Sequence, residues 1–186
     1  RIAMQRRLRG ALDRGDLRLA LQPIVTCDAT GEPRPVAIEV LLRWRDEVLA
    51  LIEARVEGPS ILVGSSMGGW LMLLVGEALG ARLHALVGIA AAPDFTEWGF
   101  DPEQKAQLAR GETLLEDNPY GPEPTPTHPG FWSDGQANRR LDNPIALSCP
   151  VRLIHGMEDT DVPFEVSQRL VAALHSPDVH LTLVKD

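Results

Sequence analysis

The sequence predicts an α/β protein built on a parallel sheet, and three observations carry that expectation. Short apolar runs at residues 60–63, 85–92, 151–155 and 179–184 alternate with segments of helical periodicity, the pattern of β-α-β units. Between the first run and the helix that follows stands a glycine-rich turn, Gly64-Ser65-Ser66-Met67-Gly68. After the third run comes an acidic cluster, Glu158, Asp159 and Asp161, at the strand end where parallel sheets bind ligands.

Taken in order, residues 1–15 carry Leu8, Ala11 and Leu12 on one face among arginines, a surface-helix pattern that ends near Gly15. The period then changes. Residues 17–26 and 35–42 are β-rich runs separated by Asp28-Ala29-Thr30-Gly31-Glu32-Pro33, which predicts two strands joined by a turn. From residue 44 to 56 the apolar Trp44, Val48, Leu49, Leu51 and Ile52 recur at helical spacing, and Glu57-Gly58-Pro59 stops that helix. A strand at 60–63, a turn at 64–69, a helix at 70–79 and a strand at 85–92 follow. Residues 93–146 are rich in Pro, Gly, Asp and Asn, with a helix around 102–110; a stretch of this length inside a compact domain predicts a lid or binding element. Regular structure resumes with a strand at 151–155, a helix around 165–174 and a strand at 179–184. Because β-α-β crossovers are right-handed, the four apolar runs are expected side by side in chain order in one parallel sheet. The strand at 60–63 then has an open edge, and the upstream hairpin is expected either to cover it or to hang free as a marginal pair. Both chain ends read as cut.

Composition bounds the rest. A chain of 186 residues with 44% hydrophobic content supports one main core. A formal net charge of -8, the lack of a lysine-rich run and only 5% aromatics argue against a nucleic-acid surface. The most apolar stretch, 70–92, is interrupted by Glu77, Arg82 and His84 and fails as a membrane span. No signal peptide is visible, and Cys27 and Cys149 lie far apart without metal-type spacing, which suits unpaired cysteines in a reducing, cytoplasmic setting.

The turn at Ser66 fits G-x-S-x-G between an apolar strand and an apolar helix. A sharp turn there forces strained angles on the serine, so its neighbours must be small, as Gly64, Gly68 and Gly69 are. The following helix aims its first amides at the serine, and the N–H of Met67 is placed to donate to a developing oxyanion. The alternative is a glycine-rich turn that only binds an anion. As a nucleophile, Ser66 needs a base oriented by a carboxylate, and Asp159 is the favoured acid with Glu158 and Asp161 as rivals.

Residues 43–186 resemble the α/β-hydrolase superfamily through Gly64-Ser65-Ser66-Met67-Gly68-Gly69-Trp70, Gly88-Ile89-Ala90-Ala91-Ala92-Pro93-Asp94-Phe95 and His155-Gly156-Met157. The nearest branch is that of palmitoyl-protein thioesterases which also cleave acyl glucuronides. The resemblance implies Ser66 as nucleophile and Asp159, at the family's G-x-x-D-x-x-V-P position, as acid. It also implies a lid after Asp94 in which Trp98, Phe100, Phe131 and Trp132 line an acyl pocket. In that family the histidine follows the last strand in a phrase resembling K-D-G-D-H, whereas this sequence stops at Lys185-Asp186. Of the histidines present, His84, His128, His155, His175 and His180, none occupies the family position; His155 and His180 fall in strands and His84 precedes one. The first strands of the family, with a second oxyanion donor, belong upstream of residue 44. The chain as it stands is therefore expected to be nearly inactive.

Residues 8–44 resemble something else. Gly15-Asp16-Leu17-Arg18-Leu19-Ala20-Leu21-Gln22-Pro23-Ile24-Val25 and Ile38-Glu39-Val40-Leu41-Leu42-Arg43-Trp44 look like the opening of an EAL domain, a cyclic di-GMP phosphodiesterase barrel. That resemblance implies Glu39 as a metal ligand and Arg43 as a phosphate contact. One glutamate cannot build a two-metal site, so Glu39 reads better as a strand residue. The expected organisation is an EAL-like piece at 1–42 joined to a truncated hydrolase sheet at 43–186, with its lid at about 94–146. The favoured function is serine-dependent hydrolysis of a small-molecule ester or thioester, without cofactor, nucleic acid or membrane. A cyclic di-GMP signalling fragment and an inactive chimera are the alternatives.

Overall fold

A computed structural model describes residues 21–27, 33–40, 45–117, 122 and 124–185. The elements in chain order are β1 (Leu21–Cys27), β2 (Pro33–Val40), α1 (Arg45–Arg55), β3 (Ser60–Ser65), α2 (Met67–Leu79) and β4 (Leu83–Ile89). Then come α3 (Phe95–Trp98), α4 (Pro102–Ala109), β5 (Leu114–Glu116), β6 (Thr125–Thr127) and α5 (Pro129–Ala137). The chain closes with β7 (Val151–Gly156), α6 (Phe164–Ala173) and β8 (Val179–Val184).

Six strands form one sheet in the order β1-β2-β3-β4-β7-β8. The four apolar runs lie parallel and in chain order, as expected, with Leu62 beside Leu86, Leu86 beside Val151 and Val151 beside Val179. The open edge of β3 is taken by β2, which runs parallel to it with Ile38 beside Leu62, and β1 returns antiparallel to β2. The expected helix at residues 1–15 lies outside the described residues.

Winding in one direction along the sheet leaves the crossover helices on one face. Val48 and Ile52 of α1, Leu73 and Val75 of α2 and Leu170 of α6 close over Leu62, Leu86, Val151 and Leu153 in a single buried cluster. Each fully buried leucine here stabilises the fold by about 1.5–3 kcal/mol. Alternate residues point to the other face, where Ile89, Ile154 and Val184 are 44%, 43% and 43% exposed.

The differences from the sequence expectation that bear on the site lie at α2, β4 and the insertion. Helix α2 starts at Met67, three residues early, and absorbs Gly68 and Gly69 although glycine is a poor helix former. Close packing explains Gly69, because a Cβ there would stand 2.4 Å from Ala91 Cβ. Strand β4 ends at Ile89 instead of residue 92, since Ala90 turns to a positive φ of 43°; His84 accordingly lies within the strand, not before it. The stretch read as a loop-rich lid holds α3, α4, the β5–β6 hairpin and α5. Helix α4 opens with a capping box between Asp101 and Gln104 behind Pro102, and α5 has Pro129 in its first turn.

Candidate active site

Ser66 sits between the last residue of β3 and the first of α2 with φ 51° and ψ −123°, a conformation that strains any residue with a Cβ. The fold holds it there through its backbone. The N–H of Ser66 donates to the Ile89 carbonyl at 3.0 Å, and its own carbonyl accepts from the amides of Gly69 and Ala92, both at 2.9 Å. The side chain is exposed at the C-terminal edge of the sheet. Met67 is the first helical residue, so its N–H has no acceptor within the helix and faces the same edge.

Asp159 stands in the loop after β7, two strands from Ser66, about 10 Å by ordinary strand spacing. Its Oδ1 accepts from the amides of Asp161 and Val162, both at 2.9 Å, and its Oδ2 lies 3.8 Å from His155 Nε2. Glu158 and Asp161 are exposed, whereas Asp159 is partly buried. Of the three acids, Asp159 is the one the loop is folded around.

Between the two turns lies a small apolar cluster of Ala92, Val162 and Val166, against which Phe95, Trp98 and Leu141 pack. The sequence expectation of an acyl pocket lined by Trp98, Phe100, Phe131 and Trp132 is modified here. Phe100 is buried with Leu108 and Leu114 inside the insertion, and Trp132 packs on that same cluster while donating its indole N–H to the Thr96 carbonyl. Phe131 meets the ring of Phe95 at 5.7 Å. Only Trp98 joins the cluster that adjoins both Ser66 and Asp159, with its indole N–H on the Pro93 carbonyl at 2.8 Å. Sequence reasoning missed Phe95, whose ring also meets Trp70 at 5.9 Å and Phe100 at 6.1 Å and so ties the insertion to α2. Its place directly after the Ala-Ala-Ala-Pro-Asp turn was the available signal.

Asp94 was also missed as a structural residue. It is 2% exposed, has a left-handed φ of 59°, and its two carboxylate oxygens accept from the amides of Arg140 and Leu141, each at 2.8 Å. Burial pushes its carboxyl above the usual range, against the downward pull of those amides and of Arg139. A carboxyl whose folded value is raised contributes stability that is complete below its unfolded value and is lost as pH rises through the folded one. The stability advantage of the native chain over Asp94→Asn should therefore shrink as pH rises from about 4 toward neutrality. Urea denaturation of both chains across that range measures the difference, and an advantage that grows with pH would contradict it.

No histidine among the described residues hydrogen-bonds Ser66. His155 is fully buried, with Nδ1 2.6 Å from Ser167 Oγ and Nε2 2.8 Å from the Val162 carbonyl. His84 and His180 lie near the starts of β4 and β8, at the opposite edge of the sheet. Glu39 lies in β2 beside Val63, and Arg43 lies outside the described residues.

The parallel strands β3, β4, β7 and β8 and the strained serine turn between β3 and α2 are features of the α/β-hydrolase fold, and this chain has that fold. No protein-family model matches the chain. It is similar to the mouse mitochondrial palmitoyl-protein thioesterase ABHD10, with 40% identity over 148 residues that make up 77% of this chain and 50% of that protein. The human protein of that name is 35% identical over 152 residues, 77% of this chain and 48% of its own length. Thus the chain spans about half the length of the curated relatives it matches. Among solved structures, alpha/beta hydrolase domain-containing protein 10 from mouse superposes with a TM-score of 0.67 at 36% identity, covering 77% of this chain and 59% of that one. A protein of Agrobacterium vitis S4 gives 0.69 at 40% identity with the same coverages. No described helix is long and apolar enough to cross a membrane.

Proposed function

We propose that the chain belongs to a serine hydrolase that cleaves carboxylic esters or thioesters through an acyl-enzyme. The observation that carries this reading is the exposed Ser66 at φ 51°, presented by a strand-turn-helix at the C-terminal edge of a parallel sheet. Ser66 Oγ attacks the acyl carbonyl carbon, and the oxygen that gains charge accepts the N–H of Met67. The alcohol or thiol departs as the tetrahedral adduct collapses, and water then releases the carboxylic acid. Asp159, held in orientation by the Asp161 and Val162 amides, is the acid that orients the base taking the Ser66 proton. The thioesterase names of the 40% and 35% identical relatives support a thioester among the substrates. The reaction calls for no cofactor.

A fluorophosphonate probe tests the reading, with the adduct located by mass spectrometry. In imidazole buffer, which supplies the base, modification at Ser66 that Ser66→Ala abolishes and Asp159→Asn slows is the expected result; labelling spread over other serines would refute it. For the EAL-like start, binding is expected to be nil. One carboxylate and one guanidinium leave a hydrated dication and two phosphates largely without partners. Calorimetry with cyclic di-GMP and Mg²⁺ should show no heat that Glu39→Ala removes.

A further inference from the structure

His155 is buried completely at the end of β7, where an apolar side chain would fill the same space without the cost of desolvating two ring nitrogens. Its partners say what the ring does. The Val162 carbonyl can only accept, so Nε2 carries the proton; in the neutral ring Nδ1 then accepts from the Ser167 hydroxyl on α6. Ser167 is itself 1% exposed. A hydrogen-bonded path results, from Ser167 Oγ–H to Nδ1, from Nε2–H to the Val162 carbonyl, and from the Val162 amide to Asp159 Oδ1 at 2.9 Å. The same Nε2–H lies 3.8 Å from Asp159 Oδ2, with its positive end near the carboxylate.

We infer that His155 is a positioning residue: it locks the 156–162 loop between β7 and α6 and so fixes the carboxylate of Asp159. The inference rests on the reading of Asp159 as the acid of the reaction. It leaves His155 unable to serve as the base itself, because both nitrogens are engaged inside the protein.

Amide hydrogen exchange by NMR on the whole chain tests it, using His155→Phe, Asp159→Ala, the double variant, and His155→Gln, whose amide N–H can still reach the Val162 carbonyl. His155→Phe should speed exchange of the Asp161 and Val162 amides about tenfold, as the loss of one hydrogen bond allows, with Leu86 and Leu153 unchanged. Asp159→Ala, which removes the acceptor of both amides, should do the same, the double variant no more than either alone, and His155→Gln should restore protection. In the native chain, ¹⁵N shifts of His155 should report the Nε2-protonated ring. Native exchange at Asp161 and Val162 in His155→Phe, additive effects in the double variant, or an Nδ1-protonated ring would each overturn the inference. If His155→Phe does not fold, Ser167→Ala takes its place, with the same expected gain in exchange and the same refutation. Fluorophosphonate labelling in imidazole buffer separates the two claims: if Asp159→Asn leaves the imidazole-dependent Ser66 rate untouched, the acid assignment fails whatever the exchange data give.

Discussion

Without added base, the chain should turn over p-nitrophenyl acetate at close to the uncatalysed rate, and imidazole in the buffer should raise a Ser66-dependent rate about 10²-fold. A serine hydroxyl is a poor nucleophile at neutral pH, and in subtilisin loss of the histidine alone costs about 10⁶ in kcat. The sheet register shows why the histidines described here cannot fill that role. His180 shares a row with Val63, Val87 and Arg152, three residues short of Ser66 along the strands and three strands away. Ordinary strand dimensions make that about 14 Å sideways and 10 Å lengthwise. His128 lies in the insertion beside Thr113 Oγ1 at 3.4 Å, and the backbone N–H of His175 bonds the Ile145 carbonyl beyond the end of α6. Free imidazole can reach the exposed hydroxyl that these side chains do not. Robust turnover without imidazole, lost in Ser66→Ala, would show that a histidine of this chain does reach Ser66.

The second large effect is expected at Gly64. A Cβ there would lie 2.3 Å from the Gly68 carbonyl oxygen, 2.6 Å from its carbon and 2.8 Å from the Gly69 nitrogen. All three are backbone atoms of the first turn of α2, so relief means moving the helix start and with it Ser66. Gly64→Ala should destabilise the chain by about 2–5 kcal/mol and abolish labelling of Ser66 in whatever fraction remains folded. Gly130→Ala is the control, because a Cβ at Gly130, within α5, would meet nothing within 4 Å. It should be neutral or stabilising by up to about 1 kcal/mol. Equal urea midpoints for Gly64→Ala and the native chain would count against the packing argument.

The parallel core was legible in the sequence because its four strands are short apolar runs separated by helical periods, a signal local to each segment. The start of α2 was not, since Gly68 and Gly69 have poor helix propensity and the place of Gly69 is explained by its contact with Ala91 across the turn. Helix α5 was hidden for a related reason. Gly130 and Gly135 weaken its local signal, while Gly135 is there because a Cβ would come within 2.5 Å of Thr96 Cγ2. The sharp turn at Ser66 was readable from its glycines. The preference for Asp159 over Glu158 and Asp161 came from resemblance, because adjacent acids look alike in one dimension and differ only in which one receives the amides of Asp161 and Val162. The commitments of His155 were unreadable, since Ser167 sits 12 positions away on another element.

Asp94 bears on how this architecture can vary. The Arg140 and Leu141 amides that it binds are 46 and 47 positions downstream, so the departing and returning strands of the excursion are pinched together at a single carboxylate. The excursion then behaves as a closed loop whose stem is fixed independently of its contents. Closing a loop twice as long costs only about 0.6 kcal/mol more. Segments of other lengths and other side chains can therefore be carried on the same stem without disturbing the turn that holds Ser66, so the excursion can diverge while the turn beneath it stays constant.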